Sequence, residues 1–167
     1  MGHGADATGW LAAWAAALEA SGFAFMLRDS SWVYPLANLG HIVGLCLLVG
    51  PIVALDLRLL GVGRGVPVAA LSRFLTPLAV AGLLLQIASG ALLLTADASA
   101  LVGNPVFRIK MVLFALGVAN ALLFRRIWRG ALERWDDGPP ALGRAQAAAS
   151  IAIWFGAAIS GRLIAYF

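Results

Sequence analysis

The chain predicts an all-α fold, a four-transmembrane-helix bundle with an N-terminal interfacial amphipathic helix, and three observations predict it. Hydrophobic residues fill 62% of the 167 positions and charged residues only 12%, about half the charge of an ordinary soluble domain. The mean hydropathy is +0.90. Four stretches, 32–55, 74–96, 105–127 and 145–164, reach the roughly 20 apolar residues that a hydrocarbon core about 30 Å thick requires of a helix.

The segment 8–27 comes first. It is apolar enough to suggest a fifth span, yet it holds Glu19 and the Ser21-Gly22 break. Trp10, Leu11, Trp14 and Leu18 recur at helical spacing, as in a helix lying within the headgroup layer. Residues 1–31 are therefore read as an interfacial segment and 32–167 as the transmembrane domain. Asp29-Ser30-Ser31 ahead of Trp32, Tyr34 and Pro35 reads as an interface turn with an aromatic belt. In the first span Gly40 and Gly44 form a G-x-x-x-G pair, and Pro51 after Gly50 predicts a kink. The single cysteine, Cys46, allows no internal disulfide or CxxC motif and is expected to serve packing. Gly117 and Asn120 in the third span are expected at a helix contact. Gly138-Pro139-Pro140 breaks the long connection that follows. In the fourth span Ala148, Ala152, Gly156 and Ser160 form a small-residue stripe suited to bundle packing or to a homo-oligomer face. The sequence holds no visible repeat, low-complexity tail or soluble domain.

Twelve Lys and Arg against eight Asp and Glu give a net charge of +4. Arg58, Arg64 and Arg73 follow the first span, and Arg125, Arg126, Arg129, Arg134 and Arg144 follow the third. By the positive-inside rule those two loops face the cytoplasm, which puts both termini and the 97–104 loop outside. The expected location is a bacterial inner membrane with both termini periplasmic. The basicity thus reports orientation and calls for no nucleic acid; the expected partners are the bilayer and a homo-oligomer or larger membrane complex. No basic residues precede an N-terminal apolar run, so uncleaved insertion is expected. Asp56 and Arg58, two positions apart, do not meet on one helix, so Asp56 is expected to pair with Arg126, Arg129 or Arg73.

His41 is the chemically distinctive residue, because an imidazole inside an apolar helix is expensive and usually has a task. The other histidine, His3, lies at the start of the chain. Asn38 is one turn from His41, and Gln86 falls at a similar depth in the second span, so the three form a candidate polar patch. Arg108, Lys110 and Arg162 stand near the outer ends of the third and fourth spans, above it. Haem b needs an axial imidazole and cations for its propionates, which makes His41 the candidate metal ligand and Asn38, Gln86, Arg108, Lys110 and Arg162 the candidate cofactor-binding set. A quinone would instead take hydrogen bonds from His41, Gln86 and Asn38. Copper on His41, Cys46 and Met111 lacks paired soft ligands. With no cofactor, the same polar groups bond one another and the cations snorkel, as in a structural or assembly subunit. No nucleophile or carboxylate pair points to an enzyme.

Tyr34-Pro35 with His41-Ile42, Asp56-Leu57-Arg58-Leu59-Leu60-Gly61, and Asn104-Pro105-Val106-Phe107-Arg108-Ile109-Lys110-Met111 on to Asn120 resemble an uncharacterised bacterial four-helix inner-membrane family. That resemblance covers most of the chain and implies the same four-helix fold. More distantly, His41 and Lys110 are similar to a histidine and a lysine in the copper resistance protein D group and in the membrane protoporphyrinogen oxidases, some of which hold haem b. Haem-bearing members carry a further histidine where this chain has Phe124-Arg125-Arg126. The resemblance therefore implies neither two-histidine ligation nor the oxidase reaction.

Overall fold

The computed structural model describes residues 3–167, with side chains from residue 9 onward; the side chain of His3 lies outside the described residues. The described chain is helical throughout, without strands. Helix α1 spans His3–Glu19 and α2 Gly22–Asp29. Four long helices follow in α3 (Val33–Leu59), α4 (Val68–Ala96), α6 (Pro105–Ile127) and α7 (Ala141–Leu163), with the short α5 (Ala98–Gly103) between α4 and α6. All four are long and apolar enough to cross a membrane.

Local chemistry sets the boundaries. Ser21 ends α1 and caps α2, its Oγ donating to Leu18 O and accepting from Ala24 N–H. The chain bends by 61° there. Ser30 Oγ accepts the N–H of Val33 at the head of α3. Asn104 Oδ1 accepts from Val106 and Phe107 at the start of α6, where Pro105 occupies the position that needs no donor. Gly61 and Gly63, with φ of +104° and +65°, let the chain reverse between α3 and α4. Counting apolar residues places the end of α3 at 55 and the starts of α4 and α7 at 74 and 145; the helices extend to 59, 68 and 141. Backbone hydrogen bonding continues past the hydrocarbon layer, so a count of apolar residues measures that layer and underestimates the helix.

The long helices stand in the order α4, α3, α7, α6, with α3 against both α4 and α7, and α6 against α7. The α3–α4 contact is the most extensive and the closest. A Cβ on Gly82 would come to 2.9 Å of Gly44 O and closer still to the backbone of Leu47 and Leu48. One on Gly44 would meet Gln86 N at 3.0 Å. The G-x-x-x-G pair thus serves packing within the chain. On α7 the buried residues are Gly143, Gln146, Ala147, Ser150, Trp154, Ala157 and Ser160; of the expected stripe Ser160 is buried and Gly156 packs against Leu113 of α6, whereas Ala148 and Ala152 are exposed. Trp154, not a small residue, is the knob, and the hole is Gly117 of α6, where a Cβ would lie 2.8 Å from the indole. Cys46 is exposed.

Non-helical segments clasp the two ends. At one end Arg58, only 3% exposed, donates to Val66 O, Arg64 O and Asp136 O. Asp136 in turn accepts the first N–H of α4, that of Val68, at 2.8 Å. Trp135 packs edge-on to Phe124 and Trp128 over Leu59, Val68 and Ala147. Asp56 forms no ion pair, contrary to the sequence expectation: its Oδ2 is buried without a partner, and the group facing it is Ser150 of α7. Residue 56 is turned about 200° from Arg58 around α3, while Arg73, Arg126 and Arg129 point outward. At the other end α1 lies on α5, Glu19 accepts from Ser99 N–H and Oγ–H, and Arg28 donates to Ala96 O and Glu19 O. Leu11, Ala15 and Leu18 turn inward on α1 while Trp10 and Trp14 are exposed.

Two predictions follow from these contacts. Gly82→Ala should destabilise the fold by about 1–3 kcal/mol through overpacking, whereas Gly50→Ala, with nothing within 4 Å of the added Cβ, should not; thermal unfolding in one detergent compares them. The two Ser99 hydrogen bonds hold the Glu19 carboxyl below the usual carboxylate range. A depressed folded value means that this tie is complete above the ordinary value, near 4.3, and is lost as pH falls through the lower one. Protection of the Ser99 amide against hydrogen exchange, relative to its intrinsic rate, should therefore fall at acid pH in the wild type, and be low at every pH in Glu19→Ala.

Candidate functional site

The α3–α4 contact fixes what surrounds His41. On α4, Gln86 and Ser89 are three residues apart and share a face, and Gly90 beside them has no side chain to obstruct the ring: a Cβ there would come to 3.2 Å of His41 Cε1. The half-buried imidazole lies against α4 in that gap.

The hydrogen bonds assign its tautomer. Ser89 Oγ donates to Leu85 O at 2.6 Å, which leaves Oγ to accept from His41 Nδ1–H at 3.0 Å. Nε2 is then the bare nitrogen. It accepts from the Gln86 side-chain amide at 2.9 Å and from Lys110 Nζ at 3.4 Å. Two donors on Nε2 and an acceptor on Nδ1 agree on one assignment. Gln86 Oε1 has no hydrogen-bond partner and rests against Gly44, where a Cβ would sit 3.0 Å away. Lys110 reaches the ring from α6 by passing Gly161 of α7, at 3.5 Å from the position of a Cβ there.

Of the residues singled out in the sequence, the structure brings together His41, Gln86 and Lys110. Asn38 is exposed and its amide donates to Tyr34 O of its own helix. Arg108 is exposed and donates to Val102 O. Arg162 donates to the Tyr166 hydroxyl at 2.5 Å and stacks on that ring. All three therefore stand away from the imidazole, because each long or polar side chain finds a partner within a few residues of itself. Met111 is 47% exposed. Asn120 and Gly117 do mediate helix contacts, to Gln146 O and Trp154. Ser89 is the cluster member that the sequence reading passed over, although its three-residue spacing from Gln86 carried the signal.

Chemically, the cluster is an imidazole with a bare nitrogen, an ammonium, an amide and a hydroxyl drawn from three helices. It can donate hydrogen bonds to an oxygen placed beside Lys110, and it can present Nε2 as a base or ligand if the two donors move aside. Among the described residues no three of His, Cys, Asp and Glu lie together as a metal-binding group.

Gln86→Ala should lower stability by about 1–3 kcal/mol, since it empties a buried position and removes a donor to Nε2. Asn38→Ala should change it by no more than about 0.5 kcal/mol. Equal effects of the two substitutions in thermal unfolding would contradict the placement of these side chains.

No family model, curated protein or solved structure matches the chain.

Proposed function

We propose that the protein is a four-helix transmembrane bundle of the bacterial inner membrane that holds a redox-active group at His41, as a small electron-transfer or accessory subunit. In this reading α1 and α2 lie at the outer interface and both termini are periplasmic. Eight of the twelve cations cluster at the Arg58 end, which supports that orientation. The observation that carries the functional reading is the convergence of His41, Lys110, Gln86 and Ser89 inside helices that suit the membrane, where ionisable groups are costly and usually functional.

The donor set favours a quinone ring over haem b. Haem b would take Nε2 of His41 as its axial ligand, and both Gln86 and Lys110 occupy that nitrogen. A sixth ligand from this chain has no candidate among the described residues, since Met111 is exposed and Cys46, exposed too, is turned about 140° from His41 on α3. A quinone carbonyl needs only a donor, which Lys110 supplies as it stands. The second reading, a cofactor-free assembly subunit within a homo-oligomer or larger complex, is favoured by one fact: protein groups already satisfy both ring nitrogens.

Solvent extraction and the absorption spectrum of detergent-purified protein test this. Extracts should contain a quinone in amounts comparable to the protein, and Lys110→Met, which removes the donor to its carbonyl, should reduce it by about tenfold, the loss of one hydrogen bond to a charged group. A Soret band abolished in His41→Ala would overturn the quinone assignment in favour of haem b. Colourless, quinone-free protein would overturn the redox reading.

A further inference from the structure

We infer that Lys110 is the contact point for an anionic oxygen carried into the His41 site by a membrane-soluble molecule. This rests on the cluster being a ligand site and specifies what the ligand offers it.

The first argument is direction. Lys110 lies five residues from the start of α6, and a lysine so placed in a membrane helix ordinarily extends its stem toward the interface and the headgroups. Here Nζ turns to His41 Nε2 instead, and His41 is its one hydrogen-bond partner among the described residues. An imidazole nitrogen satisfies a single N–H of the three and carries no countercharge.

The second argument is charge. Neither α6 nor α7 contains an acidic residue, and their ends near Asn104 carry Arg108, Lys110 and Arg162. The described acids of that end are engaged or distant: Glu19 with Ser99, Asp97 with the Tyr34 hydroxyl at 2.8 Å, and Asp29 exposed on α2. The one ion pair among the described residues, Arg58–Asp136, is at the opposite end. The last turn of α7, which Lys110 crosses at Gly161, offsets at most roughly half an elementary charge. Arg108 and Arg162 are exposed at the helix ends, where phosphate headgroups can meet them. Lys110 is directed away from that layer.

A partly buried ammonium without a countercharge is disfavoured and tends to give up its proton, and an anionic oxygen beside Nζ holds it charged. The ligand class is therefore an apolar molecule with one anionic oxygen: the enolate-type oxygen of a deprotonated quinol, which is the reduced form of the quinone proposed above, or a carboxylate or phosphate. A cofactor's acidic group and a lipid's headgroup share this chemistry.

Native mass spectrometry in a neutral detergent, with decanoate, decanol and phosphatidylglycerol as probes, tests the inference. Decanoate should bind the wild type, bind Lys110→Met about tenfold more weakly, and bind Lys110→Arg within a few-fold of the wild type, as expected for a hydrogen bond between charged partners. Decanol should bind all three alike. Phosphatidylglycerol adducts that share the Lys110 dependence identify a lipid as the source, and their absence beside decanoate binding assigns the anionic oxygen to a cofactor instead. Arg162→Gln is the control for surface charge and for folding. Decanoate binding that survives Lys110→Met, or that is lost in Arg162→Gln instead, overturns the inference. Protein free of quinone and haem that still binds decanoate through Lys110 would sink the redox reading and leave this one standing. Quinone-loaded protein whose decanoate binding ignores Lys110→Met would do the reverse.

Discussion

The constraint on which the rest of the structure depends is the backbone contact between α3 and α4 at Gly44 and Gly82. No side chain fits at Gly82, because the space that a Cβ would need is filled by main-chain atoms of Gly44, Leu47 and Leu48. Helix association in a bilayer gains nothing from excluding water, so close van der Waals packing and interhelical hydrogen bonds must supply it. A contact this close also fixes register. With Gly82 against Leu47 and Leu48 and Gly44 against Gln86, Ser89 and Gly90 fall on the imidazole. The position of His41 is thus a consequence of glycine placement rather than of any interaction made by the ring itself.

Polar groups inside this fold are treated in two ways. Arg58 is buried and engaged: its Nε and Nη2 donate to three carbonyls, a carboxylate lies beside them, and it joins the two loops that would otherwise be free at that end. Such a group contributes to structure, since protein acceptors surround it. Lys110, Asp56 and Gln86 differ. Each is partly or wholly removed from solvent with some of its hydrogen-bonding capacity unused, as is Nε1 of the packing residue Trp154; several such groups together mark a candidate site. Lys110 and Gln86 meet on one imidazole nitrogen, whereas Asp56 faces Ser150 alone. The functional reading therefore rests on the His41 cluster and leaves Asp56 as a feature for which the geometry offers no companion.

Much of this was legible in the sequence, and the failures have physical causes. Spans and breaks were visible because apolar runs, the Ser21-Gly22 break and the Gly-Pro-Pro turn act locally. His41 and Gln86 could be matched because depth follows from the rise per residue. Rotation about a helix axis is a tertiary property, and it decided the errors: Asn38 turned outward, Cys46 exposed, and the buried face of α7 centred on Trp154. Arg108 and Arg162 were misplaced for a related reason, since a long side chain chooses its nearest partner, and Val102 and Tyr166 lie closer in sequence than the imidazole. Asp56 was assigned an ion pair by proximity to a basic loop, but helix rotation faces it toward α7. Ser89 was missed because a serine inside an apolar helix usually bonds its own backbone, which it also does here.

The cluster ties these arguments together. Ser89 orients the ring, Gly90 admits it, Gln86 and Lys110 converge on its second nitrogen, and the open chemistry lies on the side of Lys110. The most direct test is nitrogen-15 NMR of the imidazole-labelled protein in lipid bilayers. The account predicts a His41 ring with its proton on Nδ1 and a bare Nε2 that shows contact with the Lys110 ammonium. A ring protonated on Nε2, or one that contacts lipid and not Lys110, would contradict it.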